Sequence, residues 1–187
     1  LDVLALQYLY GKNETLNADD SEFSLVKNDL YATIWDPSGN DLIDQSAATE
    51  GWYVQMPDFE PSTVVDTKVG LAAPADELLL EHPLNLYWLM GDFENINGSD
   101  FVDTIFGNSF DNLIRGNDGN DTLNGGSGND TLNGGSGNDT LTGGAGDDAF
   151  LFAGDFGRDV ITDYNSDEDI LEFYANDGSA VNISDLI

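Results

Sequence analysis

The chain contains no cysteine and has very little positive charge. Its 187 residues include five Lys and Arg, one His and 36 Asp and Glu, so the formal net charge is -31. Without cysteine no disulfide holds the fold, which is compatible with a secreted protein and equally with a reduced cytosolic one. So negative a chain argues strongly against nucleic acid and anionic membrane surfaces as partners and suits a protein that metal cations neutralise.

Long apolar runs are also missing, and no run reaches the ~18 residues typical of a transmembrane helix. The chain opens at Leu1 with neither Met nor a basic segment, so no signal peptide is visible. We expect Leu1 to mark an arbitrary boundary or a processing site.

A single histidine, His82, excludes the zinc-protease motif H-E-x-x-H, which needs at least two. No motif around His82 supports a Ser-His-Asp arrangement either. We therefore predict that this chain is not an enzyme.

What the sequence does contain is a repeat of nine residues. Four nonapeptides in unbroken register occupy Gly116–Leu151, and weaker copies occupy Gly98–Phe106 and Gly107–Arg115. In the template G-G-x-G-x-D-x-U-x, six turn-forming residues precede three residues of strand, of which U is large and apolar. The inward apolar positions are Ile105, Ile114, Leu123, Leu132, Leu141 and Phe150.

Two repeats form a coil of 18 residues that stacks on the next coil, so that the apolar side chains share one thin core. Stacked strands lie about 4.8 Å apart. An ion midway between two turns would then lie about 2.4 Å from each, which is within the Ca–O range. This spacing predicts several calcium ions as cofactors.

The same offset stacks Asp121 on Asp139 and Asp130 on Asp148. Two carboxylates at that spacing repel each other by roughly 3 kcal/mol at an effective dielectric of 20. We therefore expect calcium to be part of the fold. Ordinary hairpins or a flexible linker would need neither an Asp at every ninth position nor a Leu two residues later.

The residues before the repeats are predicted to form a helix over Leu1–Gly11 and then β structure to residue 97. The strand-like segments are Phe23–Val26, Leu30–Trp35, Gly51–Met56 and Leu84–Met90, and a second short helix is placed at Ala72–Glu81. The aromatic side chains of these segments are interpreted as core residues. The alternative is a sugar-binding platform made of Trp35, Trp52, Tyr53, Tyr87 and Trp88.

Five segments in this order resemble the C-terminal calcium-binding RTX domain of the serralysin-type secreted metalloproteases. They read LDVLALQYLYG, WDPSGNDLID (Trp35–Asp44), FENINGSD (Phe93–Asp100), GNSFDNLIRG (Gly107–Gly116) and DVITDYNSDEDILEF (Asp159–Phe173). The resemblance implies an all-β fold: a parallel β-roll capped by a β-rich N-terminal region with one short helix. The predicted parts are the cap at 1–97, the roll at 98–173 and a tail at 174–187, which stops short of the apolar export signal of that family.

The resemblance also implies calcium sites between turns that are 18 residues apart, in which carbonyls complete the Asp ligands. Two central sites comprise Asn117, Gly119, Asp121, Gly134, Ser136 and Asp139, and Gly126, Gly128, Asp130, Gly143, Ala145 and Asp148. Earlier sites comprise Ser99, Phe101, Asp103, Gly116 and Asp118 with Asp121, and Asn108, Phe110, Asn112, Gly125 and Ser127 with Asp130. Asp159, Asp163 and Asp169 are candidates to close a last site with Gly135 and Gly137.

A further calcium site is implied outside the repeats, where the loop after the first helix would meet the Trp35–Asp44 segment. Its candidate ligands are Asn17, Asp19, Ser21, Asp36, Ser38, Gly39 and Asp41. An EF-hand reading of Asp163, Asn165 and Asp167 fails, because Glu168 stands where the sharp turn needs Gly.

These observations predict a non-catalytic calcium-binding module of a secreted, extracellular bacterial protein. The resemblance implies that the type I secretion machinery exports it, that it folds when it meets calcium outside the cell, and that a zinc metalloprotease domain precedes it. The alternative is a polysaccharide-binding or adhesin-type β-roll. We expect no nucleic acid and no membrane among its partners.

Overall fold

The computed structural model describes residues 20, 22–25, 31–36, 39–57, 70–76, 86–175 and 178–181. The predicted helix at Leu1–Gly11 lies outside these residues. Every regular element in the described part is a β-strand, so the predicted all-β fold is confirmed. No helix among these residues is long and apolar enough to cross a membrane.

Within the described residues, fifteen short strands form two facing sheets. Sheet A has the order β1-β3-β7-β9-β11-β13-β15, and sheet B has the order β14-β12-β10-β8-β4-β5-β6-β2. The strands of sheet A are β1 (Glu22–Phe23), β3 (Leu42–Asp44), β7 (Asn95–Asn97), β9 (Leu113–Asp118), β11 (Thr131–Ser136), β13 (Ala149–Ala153) and β15 (Ile170–Tyr174). Those of sheet B are β2 (Tyr31–Asp36), β4 (Trp52–Gln55), β5 (Gly70–Pro74), β6 (Leu86–Gly91), β8 (Thr104–Phe106), β10 (Thr122–Ser127), β12 (Thr140–Ala145) and β14 (Val160–Ile161).

The chain alternates between the two sheets and advances by one coil in every 18 residues of the repeat. Leu123 pairs with Leu141 in sheet B, and Ile114 pairs with Leu132 in sheet A. Each strand of β9 to β12 continues through the first three residues of the next repeat, so the turn proper is only three residues long. This is a parallel β-roll.

The core between the sheets is two rows of apolar side chains. The predicted inward residues are all at most 1% exposed: Ile105, Ile114, Leu123, Leu132, Leu141 and Phe150. The rows continue below the repeats through Ile43, Ile96 and Val54, because β3 pairs with β7, β7 with β9, and β4 with β8. The strand ladder therefore crosses residue 97 without a break, and the predicted division at that residue stays a prediction.

Two features of the N-terminal part differ from the sequence predictions. The short helix placed at Ala72–Glu81 is wrong for its first residues, because Gly70–Pro74 is a strand. This strand runs antiparallel between β4 and β6, and its small side chains Ala72 and Ala73 are fully buried there. Strands β3 and β7 were not predicted, because three residues are too few to show an alternating pattern.

Candidate calcium sites

Six segments, each formed by the first six residues of a repeat, are stacked along the two edges of the roll and are called loops here. We number them loop 1 (98–103), loop 2 (107–112), loop 3 (116–121), loop 4 (125–130), loop 5 (134–139) and loop 6 (143–148). Loops 1, 3 and 5 form one edge and loops 2, 4 and 6 form the other, since the strands that precede them are paired in register. A gap is named after the two loops that enclose it, as in gap 3/5.

The sixth residue of each loop forms a ladder along its edge. The backbone N–H of Asp103 donates to Oδ1 of Asp121 at 2.8 Å, and the N–H of Asp121 donates to Oδ1 of Asp139 at 2.8 Å. On the other edge, Asn112 donates to Asp130 at 2.8 Å and Asp130 donates to Asp148 at 2.9 Å. One oxygen of each carboxylate is thus occupied by the coil before it.

The second oxygen of these carboxylates is buried without a partner. Oδ2 of Asp121, Asp130 and Asp139 has no hydrogen-bond donor in the described part of the chain, although each residue is 1% exposed. A buried carboxylate oxygen that lacks a donor is costly, typically by several kcal/mol. A cation in the gap would remove this cost.

The first glycine of each loop keeps space open beside that oxygen. A Cβ atom on Gly125 would collide with Oδ2 of Asp130 and lie 2.7 Å from the carbonyl oxygen of Gly143 in the next coil. On Gly116 it would collide with Oδ2 of Asp121 and the carbonyl oxygen of Gly134. A carboxylate oxygen and a carbonyl oxygen from successive coils therefore face the same empty point, as two ligands of one cation would.

The remaining carbonyls of gap 3/5 also face it from both sides. The carbonyls of Asn117 and Gly119 point up at Gly135 and Gly137, where a Cβ atom would strike them. The carbonyl of Ser136 points down and accepts the N–H of Gly119 at 2.9 Å. The structure thus brings together all six candidate residues of gap 3/5.

Gap 4/6 has the same construction. The carbonyls of Gly126 and Gly128 point up at Gly144 and Gly146, and that of Ala145 accepts the N–H of Gly128 at 2.9 Å. Such oxygen-rich sets suit calcium. The described residues include no group of three acidic or imidazole side chains that could hold a metal ion by themselves, and here the carbonyl oxygens stand beside the Asp ladder as further ligands.

Burial perturbs the acidity of the ladder. Desolvation raises the pKa of Asp121 to about 8, although the N–H of Asp103 lowers it, and the neighbouring carboxylates of Asp103, Asp139 and Asp118 add to the rise. Desolvation likewise raises the pKa of Asp130 to about 7. These carboxylates lack a compensating positive charge, which bound calcium would supply.

Loops 1 and 2 hold their candidate residues differently. Asp103 and Asn112 occupy the sixth position, and in each loop the side chain accepts the N–H of the second residue, Ser99 or Asn108. Asp118 is exposed and pairs with Ser136 across the ladder, while Phe101 and Phe110 direct their carbonyls at Gly119 and Gly128.

The three closing candidates lie on different edges. Asp159 accepts the N–H of Asp139 at 2.9 Å, and the preceding residue, Arg158, donates its N–H to the carbonyl of Gly137 at 3.2 Å. Asp169 accepts the N–H of Asp148 at 3.0 Å, and Asp163 accepts the N–H groups of Gly143 and Gly144 at 3.0 and 2.8 Å. Only Asp159 therefore lies on the edge of Gly135 and Gly137.

The candidate site outside the repeats falls only partly within the described residues. Asn17, Asp19, Ser21 and Ser38 lie outside them, and Asp36 ends β2. Asp41 is fully buried, its N–H donates to Oε2 of Glu94 at 2.8 Å, and Gly39 has a φ of 146°. Asp20 accepts the N–H of Asn40 at 3.0 Å, so the two predicted segments do meet.

Glu94 was not predicted to take part in any site. Burial raises its pKa, and the carboxylates of Asp41 and Asp92 raise it further. The sequence feature that could have identified Glu94 is its position in the FENINGSD segment, directly before β7, the strand that pairs with β3.

Comparison with known proteins agrees with this geometry. The family model of the RTX calcium-binding nonapeptide repeat, which spans four copies, matches residues 97–132 and again residues 125–161. The matched residues include all six loops. No curated protein matches the chain significantly.

Proposed function

We propose that this chain is a non-catalytic module whose folding depends on calcium. The basis is the calcium-binding RTX β-roll that contains residues 97–161. RTX repeats occur in secreted bacterial proteins. The role we propose is to remain unfolded where calcium is scarce and to fold where it is abundant.

One observation carries this proposal: the unpartnered Oδ2 atoms of Asp121, Asp130 and Asp139 in the core of the roll. Three such oxygens would cost a large part of the ~5–15 kcal/mol by which a typical domain is stable. The calcium-free roll is then marginal at neutral pH. Binding free energy becomes folding free energy when the site exists only in the folded state.

The residues that would hold calcium are the six of gap 3/5 and the six of gap 4/6 named above. When bound, calcium supplies the positive charge that the ladder lacks. The chain contributes the empty space beside each first glycine and the alternation of upward and downward carbonyls. Ladder hydrogen bonds to Oδ1 fix each carboxylate so that Oδ2 faces the gap.

We further propose type I secretion and an upstream zinc metalloprotease domain for the whole protein. The support is the order of the five segments that resemble the serralysin-type domain, together with a net charge of -31 that calcium would offset. Trp52 is 2% exposed, as predicted for a core residue, so it is not available to stack on a sugar. This weakens the polysaccharide-binding alternative.

The test is a calcium titration of the full chain followed by far-UV circular dichroism. We expect β structure to form cooperatively with calcium and to be lost in excess chelator, and we expect lanthanides to replace calcium. Magnesium is the control and should fail, because it needs shorter bonds and near-octahedral geometry. A spectrum that is unchanged by chelator would refute the proposal.

A further inference from the structure

Five of the six loops fall into two classes according to the state of their sixth side chain. In loops 3, 4 and 5 the outer oxygen of this side chain is buried without a donor, whereas in loops 1 and 2 it is hydrogen-bonded within its own loop. We infer that hydrogen bonds, and not calcium, close gaps 1/3 and 2/4, so that calcium binding begins at gaps 3/5 and 4/6. This inference rests on the proposed function.

In gap 1/3 the hydroxyl group of Ser99 takes the place of the ion. Oδ2 of Asp103 accepts the N–H of Ser99 at 2.7 Å and its Oγ–H at 2.9 Å. Oδ1 of Asp103 accepts the backbone N–H of Trp52. Both oxygens of this buried carboxylate are therefore satisfied, and a cation would have to compete with three donors.

In gap 2/4 the ladder residue of loop 2 is neutral and its amide group is fully engaged. Oδ1 of Asn112 accepts the N–H of Asn108 at 2.9 Å, while its Nδ2 donates to the carbonyl of Glu94 at 3.2 Å and to Oδ1 of Asn108 at 3.0 Å. The amide of Asn108 in turn donates to the carbonyl of Phe93 at 2.8 Å. This network supplies neither a charge nor a free ligand atom for calcium.

The two classes of loop also differ in the backbone φ angle of their second residue. Asn117 has a φ of 77°, and Gly126 and Gly135 have φ values of 109° and 94°. Among the non-glycine residues that the structure describes, Asn117 alone has a positive φ, so Ser99 and Asn108 have negative values. With a negative φ the N–H of the second residue reaches the sixth side chain, and with a positive φ it does not.

Loops 1 and 2 are also tied to the strands below them. Asp103 bonds to Trp52, and the Asn108 and Asn112 amides bond to Phe93 and Glu94. We therefore place the start of the calcium-dependent part at Gly116, two repeats later than the boundary predicted from the sequence. Residues 98–115 form a calcium-independent base on which the following coils stack.

The direct test is a crystal structure of the full chain grown with terbium, a calcium substitute with strong anomalous scattering. We expect anomalous peaks in gaps 3/5 and 4/6 and none in gaps 1/3 and 2/4. A peak in either of the early gaps would overturn the inference but leave the proposed function standing. Absence of peaks from all four gaps would overturn both.

A second test counts calcium ions per folded chain by native mass spectrometry at saturating calcium. Asp121→Asn should lose at least one ion, because Oδ2 of Asp121 faces gap 3/5 beside the carbonyl oxygen of Gly134. Asp103→Asn is the matched control and should keep the wild-type number. Loss of an ion in Asp103→Asn, with circular dichroism showing a folded roll, would contradict the inference.

Discussion

Two aspartates one coil apart play different parts at the scale of the residue. Asp130 is 1% exposed, and its Oδ1 accepts the N–H of Asn112 while its Oδ2 faces gap 4/6. Asp111 is exposed, and its Oδ1 accepts the N–H of Asn129 at 2.7 Å. Asp130 thus bonds to the preceding coil and Asp111 to the next one, but only Asp130 also faces a gap.

Asp130→Asn should raise the calcium midpoint of folding by roughly tenfold, because ligand charge sets affinity in such sites. Asp111→Asn makes the same chemical change, keeps the acceptor atom, and should shift the midpoint by about twofold or less, as exposed charges usually do. A calcium titration followed by circular dichroism measures both. Equal midpoints would show that the 18-residue register of ligands is wrong.

Gly125 tests the space beside the ladder without adding backbone strain, since its φ is not positive. Gly125→Ala places a methyl group against Oδ2 of Asp130 and the carbonyl of Gly143. We expect a cost of about 1–3 kcal/mol, as for other overpacked sites, and a higher calcium midpoint. The control is Ser127→Ala, an exposed change in the same loop. If Gly125→Ala and Ser127→Ala have the same calcium midpoint, the space beside Oδ2 of Asp130 is not needed for calcium binding.

At the scale of the element, the Asp ladder couples the roll to pH. Because burial raises the folded-state pKa of Asp121 to about 8 and of Asp130 to about 7, the calcium-free roll binds protons more tightly than the unfolded chain. The stabilisation from these protons is complete below the unfolded-state pKa of about 4. It is lost as the pH rises through 7 to 8.

We therefore expect the calcium-free chain to gain β structure when the pH falls from 8 to 5. The measurement is circular dichroism in buffers stripped of calcium by resin, because soluble chelators weaken in acid. Asp121→Asn, which imitates the protonated acid, should be more folded than wild type at pH 8 and should respond less to pH. Loss of β structure on acidification would contradict the prediction.

The closing segment is a second element that the repeat does not determine. Phe152 stacks on Phe173 at a centroid distance of 5.0 Å, and Phe156 packs edge-on against both rings. Phe156 and Phe173 pack against the buried core, and Tyr164 packs edge-on against Phe150 at a centroid distance of 6.4 Å. The stacked strands thus end in an aromatic cluster, while their ladders end at Asp159 and Asp169.

At the scale of the whole molecule, calcium should control one part of the chain and not the other. Strands β3, β4, β7, β8 and β9 are joined by backbone pairing and by the networks of Ser99 and Asn112, none of which contains an unpartnered Oδ2. The coils from Gly116 onward depend on the three unpartnered oxygens. Stability within one continuous core is then uneven.

Hydrogen exchange with mass spectrometry checks this division. In excess chelator at pH 7.5, peptides from 116–170 should lose protection, whereas peptides from 42–56 and 95–112 should keep most of theirs. In calcium all of these peptides should be protected. Equal loss of protection in both groups of peptides would show that the calcium-binding coils and the base beneath them unfold as one unit.

The sequence by itself determined the repeating part of this protein. A period of nine residues places every large apolar eighth-position residue on an inward row and every sixth-position Asp on a ladder, because identical units stack with one translation. The ladder from Asp121 to Asp148 and the choice of calcium both follow from that translation. No contact between distant segments is needed to find them.

Only the tertiary structure decided how the roll begins and ends. Ile43 joins the row of Ile96 across a long connection, and β5 enters sheet B antiparallel, because packing and loop closure set the register where no period exists. Asp159 and Asp169 complete the ladders at offsets of 20 and 21 residues, which an 18-residue repeat does not predict. The hydrogen bonds of Ser99 and Asn112 likewise arise from backbone angles that a repeat pattern does not specify.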